Sequence, residues 1–94
     1  MSEDGKKELC ARMAAQLPIL RKMVGATQQQ LAETAGLTRN TIIRIERSRT
    51  MSWNTYLSLL MLFSWHEDAR KLIRTFGLYP SELEKVFAKD SRAL

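Results

Sequence analysis

Between Thr38 and Arg49 the chain concentrates side chains that can hydrogen-bond to nucleic acid. Arg39, Asn40, Arg44, Arg47 and Arg49 fall within this stretch with Glu46 as its only acid, a net charge of +3 from four minus one. An arginine can donate two hydrogen bonds to guanine O6 and N7, and an asparagine can pair in the same bidentate way with adenine N6 and N7. Thr38 and Thr41 can reach phosphate oxygens, and Thr41 can also touch a thymine methyl. Arg47 and Arg49 can neutralise further phosphates, although plain solvation suits either arginine equally well. Other chemistries find little support. Cys10 and His66 stand alone in their residue types, whereas a metal site takes several ligands. No glycine-rich phosphate loop and no glycine-framed nucleophile occurs. The residues predict neither an enzyme nor a bound cofactor or metal.

Such a stretch can read a duplex only if a fold presents it. Thr27 is a suitable N-cap and Gln30 follows three residues later, the pattern of a capping box. Leu31, Ala32 and Ala35 make one apolar face. Gly36 supplies a left-handed turn residue, Leu37 is the apolar residue of the turn, and Thr38 caps the next helix. That helix runs to about Arg47, with Ile42 and Ile45 inward and Arg39, Asn40, Ile43 and Arg44 on other faces. Upstream, Leu9, Met13, Leu17, Leu20 and Val24 recur at three or four, one stripe of an amphipathic helix from Glu8. Pro18 lies within it, and a continuous but bent helix ended by Gly25 is expected. Met1–Lys7 read as a flexible polar lead.

Downstream, Ser48–Met51 form a loop and Ser52 caps a helix to about Ser64 that is apolar around most of its circumference. Such a helix must be covered on more than one side. Ala69, Leu72, Ile73 and Phe76 give a fifth amphipathic helix stopped by Gly77. Ser81 and Glu84 form a capping box for a sixth, carrying Leu83, Val86 and Phe87. No strand-like alternation occurs, so the fold class is all-α.

The whole chain fits this scale. Its 94 residues make one domain. Fifteen Lys and Arg against ten Asp and Glu give a net charge of +5 and a pI near 9.8, a balance that favours polyanionic partners. A single cysteine leaves the fold independent of oxidation. No apolar run follows a basic start and none approaches the ~20 residues of a membrane span, so a cytoplasmic protein without a membrane role is expected.

The stretch LRKMVGATQQQLAETAGLTRNTIIRIERSRTMSWNTYLSLLMLF, from Leu20 to Phe63, resembles the phage repressor/Cro-like (Xre-type) helix-turn-helix family. The matching signature is Thr27-Gln28, Leu31-Ala32, Ala35-Gly36-Leu37-Thr38, then Ile42, Ile45 and Glu46. The resemblance implies a five- or six-helix, lambda-repressor-like bundle. It further implies that Gln28 binds phosphate, that Arg39, Asn40 and Arg44 face bases, and that Ile43 touches the groove. Ala26, Ser48 and Met51 depart from the pattern, which prefers a larger apolar residue, glycine and proline there. These positions lie at a helix start and in a loop.

Residues 8–66 are thus expected to form a DNA-binding domain, with residues 67–94 completing the core or a dimer interface. The expected function is a sequence-specific regulator of transcription, a repressor acting as a dimer on duplex DNA. Base readers are Arg39, Asn40, Ile43 and Arg44; phosphate contacts are Thr27, Gln28, Thr38, Thr41, Arg47 and Arg49. The candidate dimer surface is Leu72, Ile73, Phe76, Leu83, Val86 and Phe87, together with the over-apolar fourth helix. The alternative is an antitoxin that regulates its own operon and binds a toxin through the C-terminal helices. Glu46 is expected to pair with Arg21 of the first helix, and His66 to sit on the surface or cap a helix. Trp53, Tyr56 and Trp65 could stack on bases, but their setting argues for core or interface, as it does for Met13, Met23, Met51 and Met61.

Overall fold

A computed structural model describes residues 2–80, which contain five helices and no strand. These are α1 (Glu3–Met23), α2 (Gln28–Ala35), α3 (Arg39–Ser48), α4 (Trp53–Ser64) and α5 (Glu67–Thr75). The all-α expectation holds; the expected helix with Leu83, Val86 and Phe87 lies outside the described residues.

The expected polar lead is corrected. Helix α1 begins at Glu3 because Ser2 caps it, its side chain accepting from the Gly5 amide at 3.0 Å. Glu3 and Asp4 then oppose the positive end of the helix dipole. Apolar periodicity could not show this turn, because its first apolar residue is Leu9. Lys6 adds a tertiary tie, its ammonium 5.4 Å from the centre of the Trp53 ring. The helix passes through Pro18 without interruption.

Three helix ends share one solution. Gly25, Gly36 and Gly77 take positive φ, and the residue after each donates back five positions: Ala26 to Arg21, Leu37 to Ala32 and Leu78 to Ile73. These are Schellman turns, which satisfy the last carbonyls and turn the next apolar residue inward. Leu78 is consequently buried in the core. At the other end of α5, His66 is the N-cap, its Nδ1 accepting from the Ala69 amide at 3.3 Å.

The core is built around α1. Its buried stripe of Leu9, Cys10, Met13, Ala14, Leu17 and Leu20 meets α3, α4 and α5. Helix α4 contributes Tyr56, Leu59, Leu60 and Phe63. Ala32 is fully buried where α2 packs on α3 and α4, a position where a small side chain permits close approach. Of the residues expected inward on the fifth helix, Ala69 and Ile73 are buried and Leu72 is half-buried. Phe76 is corrected: α5 stops at Thr75, and Phe76 leaves helical geometry and is 42% exposed. Ile73 is also withdrawn from the candidate dimer surface, because the monomer already buries it completely. Met13 is core and Met51 packs against it, but Met23 and especially Met61 are exposed, and Trp65 is 85% exposed rather than packed.

Tyr56 is fully buried, stacks on Trp53 and donates its hydroxyl to the Leu78 carbonyl. Burial pushes its phenol well above the ordinary tyrosine range, and the Cys10 thiol and Tyr79 phenol push the same way. Burial also pushes the Cys10 thiol up. A group whose folded pKa is raised contributes fully below its unfolded pKa and loses that contribution as pH rises. The domain should therefore hold its stability up to about pH 9, the unfolded cysteine value, and lose it progressively above, more steeply beyond about pH 10, the unfolded tyrosine value. Urea midpoints across pH 8–11 would check this, and Tyr56→Phe should flatten the upper part of the slope. An equally steep alkaline loss in the variant would contradict the assignment.

Candidate nucleic-acid interface

Helices α2 and α3 meet across the turn Gly36–Thr38. The Thr27 hydroxyl accepts from the Gln30 amide at 3.1 Å while the Gln30 side chain accepts from the Thr27 amide at 2.9 Å, completing the capping box. The Thr38 hydroxyl accepts from the Thr41 amide at 3.2 Å and shares a hydrogen bond with the Thr41 hydroxyl at 2.9 Å. Both predicted caps are thus formed, and these hydroxyls are committed to local partners in the free protein.

Helix α3 is divided into two faces. Ile42 and Ile45 are buried. Arg39, Asn40, Arg44 and Arg47 are exposed, and Ile43 is half-buried. At 3.6 residues per turn, Arg39, Ile43, Arg47, Asn40 and Arg44 span an arc of about 140° turned away from the two isoleucines. The structure therefore brings all four proposed base readers onto one accessible side of one helix. Arg47 joins them there.

Glu46 sits at the border between these faces and fixes the helix. It accepts from Arg21 Nε at 2.9 Å, from Arg21 Nη2 at 3.3 Å and from Gln28 Nε2 at 3.2 Å. Arg21 Nη1 also donates to the Ala26 carbonyl at 3.3 Å. One carboxylate thus ties α3 to α1 and to the start of α2, and the Arg21 guanidinium it holds also reaches the loop after α1. The pair with Arg21 is the one expected from the sequence. The Gln28 contact was not expected: that amide, proposed for a phosphate, is held by Glu46 in the free protein.

The structure adds residues to the site that the sequence reading passed over. A polar cleft of about 270 Å³ lies beside α3, lined by Thr41, Arg44, Thr50, Ser52 and Thr55 among others. Ser52 caps α4 here, accepting from the Thr55 amide at 3.1 Å. The signal was the polar run from Ser48 to Ser52, interrupted only by Met51, which the sequence alone could not fold back against α3. Among the described residues, no group of three or more His, Cys, Asp or Glu is placed to hold a metal ion, and no helix is long and apolar enough to cross a membrane.

Residues 12–85 match the helix-turn-helix domain family. The chain belongs to that family. Comparison with curated proteins and with solved structures found no match. Within the helix-turn-helix domain, α2 and α3 are the two motif helices and α3 is the second of them, the one whose exposed side carries the arginines.

Arg49 closes α3 in the left-handed region, at φ 59 and ψ 36, the only non-glycine residue with positive φ among the described residues. A side chain there costs roughly 1–2 kcal/mol of steric strain, against roughly 0.5–1 kcal/mol of extra chain entropy for glycine. Arg49→Gly should therefore raise the unfolding free energy, by about 0.5–1 kcal/mol, while Arg49→Ala should not. If Arg49 contacts a phosphate, both variants should weaken binding to all duplexes alike and lower the salt slope by about one unit. Urea unfolding and titrations at several salt concentrations separate the two effects.

Proposed function

We propose that this helix-turn-helix protein is a sequence-specific, double-stranded DNA-binding regulator of transcription, a repressor that acts as a dimer. The observation that carries the reading is the division of α3, buried through Ile42 and Ile45 and open through Arg39, Asn40, Ile43 and Arg44. In a helix-turn-helix the second helix enters the major groove with its N-terminal residues at base edges. Arg39 and Asn40 hold that place, and Arg44 follows about one turn later. Thr27, Gln28, Thr38 and Thr41 stand at the starts of α2 and α3, where helix dipoles favour phosphate. Arg47 and Arg49 extend the positive surface.

A single reading helix makes few base contacts, so useful specificity calls for two copies on half-sites about 34 Å apart. Leu72 and the exposed Phe76 remain as apolar residues of the α5 region for that contact. The same reading takes the protein as a cytoplasmic binder rather than an enzyme, without cofactor or metal.

Selection of bound sequences from a random duplex library, at near-physiological salt, tests the proposal. Enrichment of a near-palindromic site would support a specific dimer. Binding without enrichment, or none, would reject sequence-specific regulation.

A further inference from the structure

We infer that the groove between α2 and the end of α4 is a binding site for a small planar aromatic molecule that carries a carbonyl or carboxylate oxygen. The groove holds about 310 Å³, and Val24, Leu31, Leu62 and Phe63 line it. Leu31 and Phe63 belong to the core, so the packing of α2 on α4 fixes this part of the wall. Trp65 also lines the groove and is 85% exposed, so its ring is available to an incoming molecule. No acid, lysine or arginine lines the groove.

Size decides between a macromolecule and a small molecule. A volume of about 310 Å³ is that of a cube roughly 7 Å on edge. An α-helix with its side chains is about 10–12 Å across and does not enter it. Pockets for small molecules run from roughly 300 to 1,000 Å³. The groove lies at the lower end, where a body of one or two rings fits. A flat aromatic body suits the wall best, because it can stack on Trp65 while its edge meets Leu31, Leu62 and Phe63.

The polar lining sets the rest of the chemistry. Its members are Gln30, Thr34 and His66. The Thr34 hydroxyl donates to the Gln30 carbonyl at 3.0 Å. Gln30 Oε1 accepts from the Thr27 amide at 2.9 Å, which leaves the Gln30 NH2 group without a partner among the described residues. His66 Nδ1 accepts from the Ala69 amide at 3.3 Å, so the neutral ring carries its proton on Nε2, which also has no partner among the described residues. Both side chains therefore engage their acceptor in a helix cap and keep a donor for the groove. A ligand that brings an oxygen acceptor pairs with these donors, whereas one that brings only N–H groups leaves them unsatisfied as it shuts out water.

NMR titrations of the full chain with naphthoate, naphthamide and naphthylmethylammonium test this, because the three probes share one two-ring body and differ in the group it carries. At least one of the two oxygen-bearing probes should bind saturably, shift the amides of Leu31 and Leu62, and bind about tenfold more tightly than the ammonium. Preference for naphthoate would assign a carboxylate ligand, and preference for naphthamide a neutral carbonyl. No saturable binding, shifts confined to other helices, or equal affinity for the ammonium would overturn the inference. The double variant Gln30→Glu with His66→Asp keeps the capping box and the N-cap but replaces both donors by acceptors. It should bind the preferred oxygen-bearing probe about tenfold more weakly and the ammonium more tightly; an unchanged order of affinities would also overturn the inference. The titrations contain no DNA, so this inference and the proposed function fail separately.

Discussion

Glu46→Ala is expected to destabilise the domain by about 2–4 kcal/mol, somewhat below the roughly 3–5 kcal/mol of a fully buried pair. The side chains of Glu46 and Arg21 are 11% and 16% exposed, so some water reaches them and softens the loss. The cost arises from what is left behind. Removing the carboxylate strands the Arg21 guanidinium in a poorly solvated place and takes the partner from the Gln28 amide. Alanine's better helix propensity returns only a few tenths of a kcal/mol. The double variant Arg21→Met with Glu46→Leu should lose much less, because it removes both charges and keeps apolar volume. Urea unfolding of the three proteins would show this order. A double variant as unstable as Glu46→Ala would mean that the geometry of the three-way tie, rather than the stranded charge, sets the cost.

The same variant should report on function. Glu46 joins α3 to both α1 and α2, so its loss frees the reading helix to shift against the rest of the domain. At temperatures where the variant is still folded, its affinity for the selected site should fall while its salt slope stays near that of the parent, because no phosphate-facing cation is removed.

Arg39→Ala is the second large effect expected, and it acts on DNA rather than on the fold. Arg39 is exposed, is the first residue of α3 and leads the arc of proposed base readers. Its truncation should cost roughly 1–3 kcal/mol against the selected site and relax the preference at one base pair. Stability should change little, since the N-cap of α3 is Thr38. The informative comparison is with Arg47→Ala, about two turns further along the same side of α3, where loss of a phosphate contact should weaken all sequences alike. If Arg39→Ala lowers only sequence-independent binding, Arg39 contacts the backbone and the register of α3 in the groove is other than proposed.

The central elements were legible because their signals are local. Thr27 with Gln30, Thr38 and Ser52 start helices through side-chain to backbone bonds that span three residues. Gly25, Gly36 and Gly77 supply backbone angles that other residues resist. The period of Ile42 and Ile45 told which side of α3 faces inward, and thereby which side is open. The Arg21–Glu46 pair was foreseeable because an acid on the border of a buried face needs a cation, and α1 offers one. The first turn of α1 was missed for the converse reason: it depends on a serine cap and two acids and has no apolar period to detect.

By itself, then, the amino-acid sequence determined the all-α class, the starts and stops of α2, α3 and α4, and the set of residues that α3 presents. These follow from capping, turn chemistry and periodicity, which act over a few neighbouring residues. Only the tertiary structure decided how far each apolar side chain is buried, because burial depends on what other helices place against it. It enclosed Ile73 and Leu78, turned Phe76 out, left Leu57, Met61 and Trp65 in the open, and drew the Gln28 amide to Glu46. It also folded Thr50, Ser52 and Thr55 back beside Arg44. Residues distant along the chain meet only when α1 organises the bundle around them, and no local pattern records that meeting.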